Sequence, residues 1–106
     1  GVHVFFDANQ QSGTSFEVYV KVLAADDNAS FDSKPWILVP NVDDVTTYAS
    51  SYTDFTEQKY FLDNISYTSN GIVHNSYQTF AVKVVMYSGT PAIVPQIKNF
   101  RAIATS

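Results

Sequence analysis

Strict alternation of apolar and polar side chains is the feature that most constrains this chain. In Ser15–Val22, Phe16, Val18, Val20 and Val22 share one face, while Glu17, Tyr19 and Lys21 share the other. Thr79–Tyr87 repeats the pattern, with Phe80, Val82, Val84 and Met86 against Ala81, Lys83, Val85 and Tyr87. A period of two places alternate side chains on opposite sides of a pleated strand, whereas a helix needs a period near 3.6. Val84-Val85 is apolar on both faces, which suggests a strand at the centre of a sheet. No window of eleven or more residues holds an uninterrupted helical pattern.

Further strands are expected at Val2–Asp7, Trp36–Val39, Val45–Ala49, Gln58–Asp63 and Gln96–Ala104, the last with a bulge near Asn99. Turn-forming residues cluster between them, at Ala8–Thr14, Ala25–Pro35, Pro40–Asp44, Ser50–Thr56, Asn64–Ser76 and Ser88–Pro95. Short alternating strands between such loops predict an all-β chain, an antiparallel β-sandwich of jelly-roll type with about eight strands. Phe5, Phe16, Trp36, Phe61, Phe80 and Phe100 are the expected core, each contributing on the order of 2–3 kcal/mol on burial.

With 106 residues the chain fits one domain, 1–106. Both ends run directly into apolar segments, so the sequence reads as a domain excised from a longer multi-domain protein, with Gly1 a remnant of cloning. Only 15% of residues are charged, against about 25% in an average soluble domain. That deficit fits a surface partly covered by neighbours, or a polar face built from Ser, Thr, Asn and Gln.

Net charge is −4, and the six cations are scattered rather than clustered, which argues against nucleic acid as a partner. Without cysteine the chain has no disulfides, thiol chemistry or cysteine-ligated zinc. No apolar stretch approaches the roughly 18 residues of a membrane helix, so membrane insertion by a helix is not expected.

Candidate chemistry is sparse. Asp26, Asp27, Asn28 and Asp32 lie in one loop and offer the hard oxygens that Ca2+ favours, but the EF-hand spacing is missing. The same residues are ordinary turn formers, so no cofactor is expected and the loop reads as solvated, with calcium the alternative. Asp43-Asp44 reads alike. His3 and His74 belong to no zinc-binding spacing, and Glu17 and Glu57 are isolated carboxylates that read as surface charges. No nucleophile motif is present, so no catalytic residue is assigned and the chain is expected not to be an enzyme. Asn28-Ala29-Ser30 and Asn64-Ile65-Ser66 match the N-glycosylation pattern, which carries weight only in a secreted protein.

Seven tyrosines and Trp36 are the remaining resource. Aromatics of this kind pack in sheets, anchor protein interfaces or stack on sugar rings. Trp36, Tyr19, Tyr60 and Tyr87 are the expected binding residues, the three tyrosines because strand phase points them outward.

Two segments together resemble a known family. Phe16–Leu23 followed by Phe31-Asp32-Ser33-Lys34-Pro35-Trp36, and Phe80–Ala104 with its Pro95-Gln96-Ile97-Lys98-Asn99-Phe100-Arg101-Ala102-Ile103-Ala104, are similar to a β-sandwich domain of baseplate and tail structural proteins in contractile-tailed bacteriophages. The resemblance covers about two-thirds of the chain and is one of strand texture, not of catalytic signature. It implies a non-enzymatic structural or interaction domain located in the virion, with other virion proteins or copies of itself as partners and a host-surface glycan as a further one. Carbohydrate-binding modules share the same texture and give the alternative.

Overall fold

The structure is a computed structural model describing residues 1–43, 48–90 and 92–105. Among the described residues the strands are β1 (Val2–Asn9), β2 (Thr14–Leu23), β3 (Ile37–Val39), β4 (Thr56–Leu62), β5 (Tyr67–Ser69), β6 (Ile72–His74), β7 (Thr79–Ser88) and β8 (Gln96–Ala104). A 3-10 turn, Phe31–Ser33, is capped by Ser30, whose hydroxyl accepts from the Asp32 amide. Among the described residues no helix is long and apolar enough to cross a membrane.

Two three-stranded sheets, ordered β4-β1-β8 and β3-β2-β7, stack as an antiparallel sandwich, with β5-β6 as a separate hairpin. The first strand pairs with the last and the second with the seventh, so the chain is rolled up from both ends. Backbone bonds tie Gly1 to Thr105 in both directions at 2.8 Å.

Alternation dictates the core. Val2, Val4, Phe6 and Ala8 of β1 face Phe16, Val18, Val20 and Val22 of β2, all buried, with Val39, Tyr60 and Ile65 closing the cluster. Phe6 meets Phe16 edge-on and stacks on Tyr60, both at 5.6 Å between ring centres.

The core differs from expectation in four ways. Phe6, not Phe5, points inward, because β1 presents its even residues to β2. Phe5 and Phe61 are half-buried on the outer face of the first sheet, beside His3 and Arg101. Trp36 and Phe100 are exposed, while Phe80 is half-buried at the margin of the core. The segment Asn64–Ser76, expected as loop, contains the β5-β6 hairpin: Ser69 faces Ile72 across Asn70-Gly71, whose φ angles of 52° and 79° make a left-handed two-residue turn.

Asn99, at φ 55°, sits where two residues of β8 oppose one of β1, which is the bulge read from the sequence. The expected strand Val45–Ala49 falls largely outside the described residues, and Tyr48 and Ala49 are not in a strand.

Candidate functional site: an aromatic face on the second sheet

Residues of β2 that turn away from the core share a surface with their cross-strand partners. Tyr19 lies opposite Leu38 of β3 on one side and Lys83 of β7 on the other. Glu17 faces Val85, and Ser15 faces Tyr87. Trp36 enters β3 just before Ile37 and is held over the same face. Leu38 is 55% exposed, and Trp36 and Tyr87 are exposed with it. Trp36, Tyr19 and Tyr87 are therefore brought together.

Tyr60 is not among them. It pairs with Val4 and takes the same inward direction, leaving it 5% exposed in the core. Burial also raises its phenol pKa. The outward phase assigned to it from the sequence is corrected: β4 begins at Thr56, and pairing with β1 turns Tyr60 to the inside.

Cations organise the face. The Lys83 ammonium lies 4.5 Å from the Trp36 ring centre and 5.0 Å from that of Tyr19. Lys21 reaches within 4.9 Å of both Trp36 and Phe31. Ammonium groups over aromatic rings are favoured by the ring quadrupole, by about 0.5–1 kcal/mol at exposed sites. The Tyr19 hydroxyl donates to Glu17 Oε2 at 2.6 Å, and that carboxylate pushes its pKa up to about 12. The same carboxylate raises the phenol of Tyr87. The face thus carries the ammonium groups of Lys21 and Lys83 and the carboxylate of Glu17 between its aromatic rings.

The acidic loop is arranged differently. Asp27 Oδ2 receives Lys34 Nζ at 2.6 Å and the Tyr67 hydroxyl at 2.7 Å, while Oδ1 receives the Ala29 amide at 2.9 Å. Asp26 bonds His74 Nδ1 at 3.2 Å. Asp32 and Asn28 are exposed, and the Asp32 side chain lies on the 3-10 turn. Asp27 is thus neither a solvated turn residue nor a free ligand; it joins the β2–β3 connection to the β5-β6 hairpin. Asp44 lies outside the described residues. Among the described residues no three His, Asp or Glu side chains converge in a way that would hold a metal ion.

A cleft of about 370 Å3 opens beside the aromatic face, lined by Gln10, Phe16, Glu17, Leu38, Asn41 and Tyr60 among others. It carries two carboxylates, Asp43 and Glu17, the latter already engaged by Tyr19. The β5-β6 hairpin and the Asp27 anchor had no signal in the periodicity. The Asn70-Gly71 dipeptide was their one local sign.

The chain matches no known protein family, no curated protein and no solved structure.

Proposed function

We propose that this domain is a non-enzymatic interaction module of a bacteriophage tail or baseplate, docking on neighbouring virion proteins through the outer face of the β3-β2-β7 sheet. The convergence of Trp36, Tyr19, Tyr87 and Leu38 with Lys21 and Lys83 on one flat surface carries this reading. Aromatic and long apolar groups supply most of the energy at protein interfaces, and flanking charges set orientation. The virion setting rests on the family resemblance of the strand texture.

A carbohydrate-binding module is the second reading, favoured by the exposure of Trp36 next to two tyrosines. Sugar rings stack on open aromatic faces. Here Lys83 and Lys21 already approach the Trp36 ring at 4.5 and 4.9 Å, a placement that suits an acidic protein surface better than a neutral sugar.

Immobilised domain tested against purified tail proteins of the parent phage, in parallel with a glycan array, separates the two. Binding to a tail protein that falls at least about tenfold in Trp36→Ala supports docking. Sugar binding that depends on Trp36, with no tail-protein binding, replaces it with the second reading.

A further inference from the structure

The two long sides of the sandwich are unlike. On one side the sheets are joined, where Asn41 bridges to Tyr60, the Val42 amide donates to the Lys59 carbonyl and the Phe61 amide to that of Pro40. On the other side β7 and β8 are both edge strands, and among the described residues nothing pairs with their far edges. Side chains that should close the core there remain open: Met86 is 48% and Phe100 46% exposed.

β8 carries the usual protection of an edge, a bulge at Asn99 and two outward cations, Lys98 and Arg101. β7 carries almost none. It pairs with β2 in unbroken register over all ten residues, holds no proline, points no charge inward, and has Lys83 as its single charged residue. A long, flat, apolar edge is a template for another strand.

We propose that a second copy of this chain occupies the open side, with β7 pairing antiparallel to β7 about a twofold axis. A strand edge is self-complementary, since every second residue offers it both a donor and an acceptor. With the axis at Val84, Lys83 faces Val85 of the second copy and Val82 faces Met86, so no like charges are opposed. Neither β7 nor β8 carries a carboxylate of its own, so pairing their edges opposes no acidic side chains. The same axis sets β8 beside its counterpart and closes Met86 and Phe100 over a shared core. Met86 and Phe100 together expose on the order of 200 Å2, about a quarter of the roughly 800 Å2 per partner of a stable interface, before the paired edges and their flanking side chains are counted.

Sedimentation velocity of the 106-residue chain from about 10 µM to about 1 mM tests this. A monomer–dimer equilibrium is expected, with Val85→Lys and Met86→Lys each raising its Kd at least about tenfold. Ile72→Lys on the separate β5-β6 hairpin should leave it unchanged. Hydrogen exchange on the unaltered chain needs no variant: the alternate amides of Ala81–Tyr87 that point away from β2 should slow as concentration rises. A monomer throughout the range, or a dimer that both lysine variants leave intact, overturns the proposal.

Discussion

Lys34 Nζ rests 2.6 Å from Asp27 Oδ2, with the two side chains only 8% and 3% exposed. This pair pins the long β2–β3 connection to the β5-β6 hairpin. Tyr67 completes it, donating to Asp27 while accepting from the Ala24 amide at 2.8 Å. Lys34 also lies 4.9 Å from the centre of the Tyr67 ring. Because Lys34-Pro35 leads directly into Trp36, the same anchor fixes where the aromatic face begins.

Removing the cation should therefore cost both stability and the position of Trp36. Lys34→Met leaves Asp27 without its main partner, and a covered charge that loses its partner is strongly unfavourable. A melting midpoint several degrees lower is expected by calorimetry, together with a shift in Trp36 fluorescence.

The same pair predicts a dependence on acid. Lys34 foremost, with the Ala29 amide and the Tyr67 hydroxyl, holds the Asp27 carboxyl well below its ordinary value. A depressed native pKa gives stability that is fully present above the unfolded value, about 3.9, and lost as the pH falls toward the native one. Melts between about pH 5 and 2 should show the native chain losing its advantage over Asp27→Asn as the pH drops. A gap that stays constant would contradict this assignment.

Strand phase is tested by neighbouring phenylalanines. Phe6 is fully buried between Phe16 and Tyr60, so Phe6→Ala should cost about 3–5 kcal/mol in urea unfolding. Phe5→Ala, on the half-exposed outer face beside Phe61 and Arg101, should cost about 1 kcal/mol. A larger cost at Phe5 than at Phe6 would mean that β1 is turned the other way.

Asn99 occupies left-handed backbone at φ 55°. A β-branched residue there meets a penalty of about 1–2 kcal/mol, which Gly avoids. Asn99→Val should destabilise by about that amount in urea, and Asn99→Gly should be close to neutral.

How much of this was legible in the sequence follows from physical rules acting at each place. β2 and β7 were plain as strands, because such long alternation belongs to a half-buried strand, but the central position expected of β7 from Val84-Val85 is corrected: β7 is an edge strand. The bulge was legible because alternation breaks at Asn99. Phe5-Phe6 and Gln58–Asp63 were ambiguous in phase: adjacent apolar residues fit either face, and pairing between strands decides. Thus Phe6 and Tyr60 went inward, while Phe5 and Trp36 did not. The β5-β6 hairpin has three-residue strands, too short to show a period, leaving only its Asn-Gly turn. The Asp27–Lys34 anchor could not be read at all, since the sequence does not say that a hairpin 40 residues away supplies Tyr67.

Of the proposed docking face, Trp36, Tyr19 and Tyr87 were named from outward phase and aromatic character. Their convergence depends on strand order, which no local pattern encodes. Radical footprinting of the isolated domain and of the assembled parent particle tests that face most directly. Oxidation of Trp36 and Tyr87 is expected to fall at least about fivefold on assembly, while Ile72 and Val73, exposed on the separate β5-β6 hairpin, keep their labelling. Equal labelling of Trp36 and Tyr87 in both states would contradict the account.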